Sequence, residues 1–197
     1  MTREELEREL GATVYIHSDE IEPIARYAAE AARVIVEIGT AYGATAALML
    51  KHAPKRAHLT SIDPFVTDSH GGWRASLEAA RSTVERTGHL GRWTLIQGYS
   101  YDVVTTWKTP IDLLFLDGDH SYPAVRGDFD QWLSHMKSGG IILLHDSRRV
   151  PGTPAHEFNQ GWPGPTRLAD ELRSDDRVTL IEEAHSLTIW RVGGDHD

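Results

Sequence analysis

The chain has 197 residues, 40% of them hydrophobic, which suits one globular domain with a sizeable core. Its formal net charge of -9 argues against a general nucleic-acid binder, which needs a basic surface to neutralise phosphates. The absence of cysteine excludes a disulfide framework, a thiolate metal site and a cysteine nucleophile.

The first part of the chain is predicted to form a helical extension. Residues 1–10 are charged and helix-forming, without the apolar stretch of a signal peptide. A second helix is expected over residues 19–32, capped by Ser18 or Asp19. No apolar run reaches the length of a membrane span. We therefore expect a single domain over residues 1–197, with an extension (1–32) and a core (33–192), in a cytoplasmic protein without membrane partners.

Short apolar runs alternate with helical patterns through the core. The predicted strands are 33–38, 57–62, 93–97, 111–116 and 141–144. The predicted helices are 43–51, 73–87, 99–107 and 123–136, the last of which is stopped by residues 137–140. Two further β-rich runs, 177–182 and 186–192, predict a hairpin. This order predicts an α/β fold: a doubly wound, Rossmann-like, mostly parallel seven-stranded sheet with an antiparallel C-terminal hairpin.

Turn residues follow the first three predicted strands, at the edge where doubly wound sheets bind ligands. Gly39 and Gly43 allow a tight turn after the first strand, but the dinucleotide fingerprint G-x-G-x-x-G is absent. Asp63, after the second strand, is either a ribose ligand or a turn residue before Pro64. Gly98, after the third strand, lets a ligand approach the backbone.

The fourth and fifth predicted strands both end beside a carboxylate, Asp117 and Asp146. If these strands are neighbours, they lie roughly 5 Å apart, so that both carboxylates could hold one divalent cation. Without a cation or a proton the two groups would repel each other. The alternative is two unrelated turn aspartates, but the ordered spacing favours a metal site.

Four segments, taken in order, resemble the motifs of class I S-adenosylmethionine-dependent methyltransferases: VEIGTAYGATAALML, SIDPF, QGYSYD and IDLLFLDGDHSYPAVRGDFDQWLSHMKSGGIILLHDS. The last is similar to the metal-dependent O-methyltransferase branch that contains macrocin-type sugar O-methyltransferases and cephalosporin-hydroxylase-like proteins. A fainter resemblance is to mycobacterial-type mannoside O-methyltransferases. The resemblance covers residues 37–147 and implies methyl transfer from S-adenosyl-L-methionine to a hydroxyl of a small polyhydroxylated acceptor, a sugar or oligosaccharide, with Mg²⁺ or another divalent cation. The alternatives are a natural-product or catechol acceptor, an NAD-dependent oxidoreductase on the same fold, and a non-catalytic cofactor-binding domain.

The resemblance also implies roles for individual residues. Its cofactor-binding positions are Glu37, Gly39, Thr40, Tyr42, Gly43, Asp63, Gln97, Gly98, Tyr99, Ser100 and Asp117. Asp117 and Asp146 would bind the metal, and His145 stands where such relatives have another acid, so the third ligand stays open. The base that deprotonates the acceptor is Asp119, His145 or His120; for the two histidines the alternatives are a strand-end contact and a turn cap.

Two loops, 66–74 and 150–165, are expected to shape the acceptor pocket. The candidate acceptor contacts in them are His70, Trp73, His156, Glu157 and Trp162. Ordinary packing is the alternative for the two tryptophans.

The N-terminal helices lie outside the resemblance and could form a lid or a homodimer contact.

Overall fold

Seven strands form the centre of the molecule, and the computed structural model describes residues 1–66, 76–150 and 162–194. The strands are β1 (Val34–Ile38), β2 (His58–Asp63), β3 (Trp93–Gln97), β4 (Ile111–Leu116), β5 (Met136–Leu144), β6 (Val178–Ala184) and β7 (Leu187–Val192). Their order is β3-β2-β1-β4-β5-β7-β6. Strands β1 to β5 are parallel, and β7 runs antiparallel to both β5 and β6. The predicted doubly wound sheet with a C-terminal hairpin is confirmed.

Helices cover both faces of this sheet. They are α1 (Arg3–Leu10), α2 (Ser18–Glu30), α3 (Ala44–His52), α4 (Leu77–Arg86), α5 (Ser100–Val103), α6 (Tyr122–Leu133) and α7 (Pro163–Leu172). Strand β4 is buried on both faces, as its apolar sequence predicts: Leu113 and Phe115 join one core cluster, and Leu114 and Leu116 join the other. Within the described residues, no helix combines the length and apolar character needed to cross a bilayer.

The predicted helical extension belongs to the same core as the sheet. Leu6 and Leu10 of α1 and Ile24 of α2 are buried in the cluster that also contains Leu113 and Phe115. Full burial of such a side chain stabilises the fold by roughly 1.5–3 kcal/mol. Helices α1 and α2 are therefore held against the sheet, and α2 begins next to the end of β5.

The N-cap of α2 differs from the prediction, because it is His17 rather than Ser18 or Asp19. The His17 imidazole Nδ1 accepts the Asp19 N–H at 3.2 Å, and the Glu20 carboxylate accepts the His17 N–H at 2.7 Å. An imidazole nitrogen here replaces the side-chain oxygen that usually caps a helix.

The boundary between α6 and β5 also differs from the prediction. Helix α6 ends at Leu133 instead of residue 136, and residues 137–140, read as a helix stop, lie inside β5. Met136 pairs with Ile111 of β4, and a register irregularity between Ile111 and Leu113 accommodates the glycines that follow. Pairing with a central strand thus outweighs the local turn signal.

Helix α7 was not predicted, because the proline-rich stretch 150–165 reads as a loop. The helix begins at Pro163, where proline is tolerated since the first turn does not use its backbone N–H. Helix α4 begins at Leu77 with Ser76 as its cap, later than the predicted start at residue 73. The acceptor-contact predictions for His70, Trp73, His156 and Glu157 fall outside the described residues.

Candidate active site

The turn after β1 packs directly against the loop after β4. Gly39 has φ +87°, and a Cβ there would overlap the Asp117 carbonyl oxygen. The Asp117 N–H donates to the Ile38 carbonyl at 2.8 Å, and the Gly39 N–H donates to the Ile62 carbonyl at 3.0 Å. Gly43, with φ +75°, precedes α3 and lies against the Ala80 backbone of α4. The two glycines predicted from sequence are therefore required by close backbone approach.

Glu37, at the end of β1, is a buried carboxylate without a hydrogen-bond partner in the described part of the chain. Burial raises its pKa to about 8, although the nearby hydroxyls of Ser61 and Thr40 act in the opposite direction. An unpaired polar group in this position is costly for the fold. A ligand that brings a cation or hydrogen-bond donors next to Glu37 would satisfy it.

Asp63 holds the turn after β1 in place. Its Oδ2 accepts the N–H groups of Thr40 at 2.8 Å and Ala41 at 3.0 Å, and its Oδ1 accepts that of Phe65 at 2.6 Å. An ionised carboxylate has about four acceptor positions, so one remains for a further donor. The turn role considered from sequence is present, and the ribose role stays a prediction.

The segment after β3, predicted to border adenine, carries exposed aromatics and one partly buried contact. Tyr99 is 43% exposed and stacks on Tyr101 with ring centroids 5.0 Å apart. The Ser100 hydroxyl donates to the carboxylate of Asp128, which burial holds at a pKa of about 6. The Tyr42 ring stacks on Tyr15 with 6.0 Å between centroids. The adenine and cofactor contacts of Gln97, Gly98, Tyr99, Ser100, Tyr42 and Thr40 stay predictions.

Asp117 and Asp146 do converge, together with His120. One ligand atom from each of these three residues lies within 4.8 Å of the others, a grouping that could hold a metal ion. Leu116 pairs with Leu144, so Asp117 stands level with residue 145 and Asp146 one residue further. Asp146 has φ +51°, which is a left-handed backbone conformation. With this backbone turn, the Asp146 carboxylate lies near that of Asp117.

His120 lies between the two carboxylates. Its Nε2 is 3.4 Å from Asp117 Oδ1 and 3.4 Å from Asp146 Oδ2, yet makes no hydrogen bond with the described residues. Burial lowers the pKa of His120, but the attraction of Asp117 and Asp146 outweighs this and raises it to about 9. The imidazole therefore supplies the positive charge that the paired carboxylates need.

His145 is more deeply buried, with its ring between two carboxylates. Its Nδ1 is 3.0 Å from Asp117 Oδ1, and its Nε2 is 3.2 Å from Glu20 Oε2. Burial lowers the pKa of His145, but the charges of Asp117, Asp146 and Glu20 raise it well above its ordinary value. Its predicted roles as base or metal ligand stay predictions.

Glu20 was not considered from sequence, although it is fully buried beside the site. Its Oε1 accepts the N–H and the hydroxyl of Ser186 at 2.9 and 2.7 Å. Burial raises the pKa of Glu20, but the charge of His145 and hydrogen bonds from its neighbours hold it well below the ordinary range. The sequence signal available, an acid in the first turn of a helix, is too common to identify it.

Trp162 contacts the site, whereas Asp119 is engaged in the turn before α6. The Trp162 ring stacks on His120 with centroids 4.8 Å apart and a tilt of 22°, and the Trp162 backbone N–H donates to the Asp146 carbonyl at 2.9 Å. Asp119 is exposed, and its Oδ1 accepts the Ser121 N–H at 2.7 Å in the turn before α6. Its predicted role as base stays a prediction.

The fold and this site define the class: an α/β domain of the cofactor-binding type, with carboxylates and imidazoles at the carboxyl edge of its sheet. A family model described as a methyltransferase domain matches residues 36–147, more than half of the chain. The chain belongs to this methyltransferase-domain family. The predicted methyltransferase resemblance is confirmed, and the oxidoreductase alternative is not supported.

Two proteins from other organisms are similar to the chain in sequence. An uncharacterized protein of Acanthamoeba polyphaga mimivirus is 32% identical over 153 residues, covering 75% of this chain and 66% of that protein, just under two thirds. One from Sinorhizobium fredii is 27% identical over 123 residues, covering 58% of this chain and 13% of that protein.

Solved structures of methyltransferases share the fold of this chain. The O-methyltransferase TomG from Streptomyces achromogenes, involved in tomaymycin synthesis and solved in complex with SAM, matches with a TM-score of 0.68 and 20% identity, over 96% of this chain and 87% of that one. A Bacillus cereus O-methyltransferase in complex with SAH matches with a TM-score of 0.66 and 17% identity, over 96% and 89% of the two chains.

Proposed function

We propose that the protein transfers the methyl group of S-adenosylmethionine to a hydroxyl oxygen of a small polyhydroxylated acceptor, with the help of a divalent cation. The observation that carries this proposal is the convergence of Asp117, His120 and Asp146 beside the glycine turn after β1. The SAM-bound and SAH-bound O-methyltransferases that share this fold support the choice of cofactor.

The residues around the β1 turn fit that cofactor. S-adenosylmethionine supplies an activated methyl group and carries a cationic ammonium and sulfonium. The Glu37 carboxylate, which has no hydrogen-bond partner among residues 1–66, 76–150 and 162–194, fits a cationic group, which would stabilise its ionised form. Asp63 keeps an acceptor position for a ribose hydroxyl, and Gly39 lets the ligand approach the backbone.

The donor set at the ends of β4 and β5 fits a divalent cation. Carboxylate oxygens suit Mg²⁺ and Mn²⁺, whereas an imidazole favours a transition metal. When bound, such a cation lowers the pKa of a coordinated hydroxyl and balances the two carboxylates. Asp117 and Asp146 would hold it, and their oxygen ligands suit Mg²⁺ or Mn²⁺.

We assign the proton transfer to Nε2 of His120. Among the three candidate bases, Asp119 is engaged in a turn and both His145 ring nitrogens face carboxylates. His120 Nε2 makes no hydrogen bond to the described residues, and its side chain is 25% exposed. Where a bound cation balances the charges of Asp117 and Asp146, the His120 imidazole would no longer have to carry the positive charge, and its Nε2 would be free to accept a proton. In the reaction, the acceptor O–H proton then passes to this nitrogen, the oxygen–methyl bond forms, and the sulfur–methyl bond breaks to leave S-adenosylhomocysteine.

The acceptor is proposed to be a sugar or oligosaccharide, with a mannoside as one case. This follows from the resemblance to macrocin-type enzymes. The Trp162 ring at the edge of the site gives it an aromatic surface, which suits the apolar face of a sugar ring.

A binding and turnover experiment tests this function. Calorimetry should show S-adenosylhomocysteine binding without NAD binding, and a labelled-methyl assay over a panel of sugars and catechols should find a hydroxyl acceptor. Excess EDTA should abolish transfer, and Mn²⁺ or Mg²⁺ should restore it. Undiminished transfer in EDTA would exclude the metal, and failure to bind the cofactor would exclude the function.

Variants separate the proposed roles. Asp117→Asn and Asp146→Asn should lose Mn²⁺ binding and turnover together, whereas His120→Asn should lose turnover while Mn²⁺ binding persists. Loss of Mn²⁺ binding in His120→Asn would make it a ligand instead of the base. Asp130→Asn, which removes a surface acid on α6 paired with Arg126, is the matched control.

A further inference from the structure

Helix α2 lies outside the segment matched by the family model, residues 36–147, yet one of its side chains reaches the site. Glu20 is fully buried, and its Oε2 lies 3.2 Å from Nε2 of His145. On the other side of the same ring, Nδ1 lies 3.0 Å from Asp117 Oδ1. A buried imidazole thus connects a carboxylate of α2 to a carboxylate of the proposed metal site.

The Glu20 carboxylate accepts a backbone N–H at each of its two oxygens. Its Oε2 accepts the His17 N–H at 2.7 Å, and its Oε1 accepts the Ser186 N–H at 2.9 Å, in the turn between β6 and β7. The carboxylate is thereby fixed from two sides. Since an ionised carboxylate can only accept, the His145 nitrogen that faces it must be the donor.

We infer that Glu20 is a positioning residue of the site: it fixes the orientation of the His145 ring, so that Nδ1 is presented to Asp117. This inference rests on the proposed function for its effect on turnover, but the contact itself does not. The hydrogen bond at one imidazole nitrogen determines which nitrogen faces the other partner, as it does for histidines around metal sites. Without Glu20, rotation of the His145 ring by half a turn about its Cβ–Cγ bond would cost less free energy, because the hydrogen bond at Nε2 would not have to be broken.

Substitution of Glu20 by glutamine is a stringent perturbation, although the two side chains have nearly the same shape. A glutamine has one acceptor oxygen, while N–H donors face both oxygens of Glu20. Whichever way the amide is placed, its NH₂ group meets a backbone N–H. The variant therefore loses the fixed acceptor as well as the charge.

A second contact between α2 and the hairpin provides a matched control. Arg26 and Tyr27 of α2 bind the Glu182 carboxylate of β6, with an Arg26 Nη2 to Oε2 distance of 2.7 Å and a Tyr27 Oη to Oε2 distance of 3.0 Å. Glu182→Gln weakens the same attachment of α2 to the hairpin. Glu182 makes no hydrogen bond to His145 in the described structure, so this variant reports on the stability of α2 alone.

The experiment compares these variants at a temperature where both are folded. Proton NMR of protein labelled with ¹⁵N-histidine follows the His145 Nε2–H signal, assigned by its disappearance in His145→Asn. We expect Glu20→Gln to lose this protected signal and to lower kcat roughly 10–100-fold, as for other partners of site histidines. Its affinity for S-adenosylhomocysteine should stay at the wild-type value, and Glu182→Gln should keep the signal and kcat.

The outcomes separate this inference from the proposed function. A protected His145 signal that survives in Glu20→Gln, or an equal loss of kcat in Glu182→Gln, would overturn the positioning role. If no acceptor is methylated even by the wild type, the proposed function fails while the NMR comparison still decides the contact. If Glu20→Gln does not fold, Glu20→Asp keeps the charge on a shorter side chain and is subject to the same readouts.

Discussion

Replacing Gly39 by alanine tests whether the two loops of the site need their close contact. A Cβ at this position would overlap the Asp117 carbonyl oxygen and lie 2.5 Å from the carbonyl carbon. Ordinary contact between carbon atoms is about 3.5–4.0 Å. The Asp117 backbone would therefore have to move by roughly 1 Å, and the proposed metal ligand would move with it.

The size of the effect follows from comparison with Gly88. Gly88 also has a left-handed φ, +75°, but a Cβ there would meet nothing within 4 Å. Gly88→Ala therefore carries only the backbone penalty of about 1–2 kcal/mol, partly offset by about 0.4–1 kcal/mol from the less flexible unfolded chain. Gly39→Ala adds an overpacking penalty of about 1–3 kcal/mol. We expect a total of roughly 2–4 kcal/mol for Gly39→Ala and about 1 kcal/mol or less for Gly88→Ala.

Urea unfolding and thermal melting measure this difference. For a chain of this size, about 1 kcal/mol corresponds to roughly 2–4 °C in Tm, so Gly39→Ala should lower Tm by roughly 4–16 °C. Methyl transfer at a temperature where both variants are folded should fall in Gly39→Ala and persist in Gly88→Ala. Equal destabilisation by the two substitutions would refute the reasoning that the Gly39 loop touches Asp117.

Two further predictions concern the buried carboxylates of the proposed cofactor site. The pKa of Glu37 is raised from 4.5 to about 8, so between these values the folded protein binds more protons than the unfolded chain and its stability falls as pH rises. Glu37→Gln should therefore gain stability over the wild type, by more at pH 8 than at pH 5 in urea unfolding, and a pH-independent difference would contradict the burial of this carboxyl. Asp63→Asn should lose roughly 1–3 kcal/mol and weaken S-adenosylhomocysteine binding, because its amide NH₂ must face a backbone N–H; unchanged unfolding midpoints would argue against the turn role.

The central elements were predictable because local pattern and tertiary context agree there. Strands β3 and β4 have the predicted bounds, since each is a short apolar run flanked by turn residues. The α6–β5 boundary was misplaced because residues 137–140 carry a strong turn signal, which pairing with β4 overrides. Helix α7 was missed because Pro163 was taken as a loop residue, although a first-turn proline is compatible with a helix.

The candidate site was predictable where it depends on strand ends and not where it depends on packing from elsewhere. Asp117 and Asp146 follow neighbouring strands, so their meeting could be inferred from a topology that the βαβ order implies. The contact of Trp162 with His120 could not be, because it requires the position of α7. Glu20 comes from a helix 125 residues away from His145 in sequence.

The sequence by itself determined the sheet, its parallel order, the glycine turn after β1 and the acidic ends of β4 and β5. These features depend on periodicity, backbone freedom and chain order, which are properties of the sequence. The tertiary structure alone decided that Glu37 is buried without a hydrogen-bond partner among the described residues, that His120 lies between Asp117 and Asp146, and that Glu20 lies 3.2 Å from His145. These features depend on which side chains are buried against one another, and only the packing of the folded chain determines that.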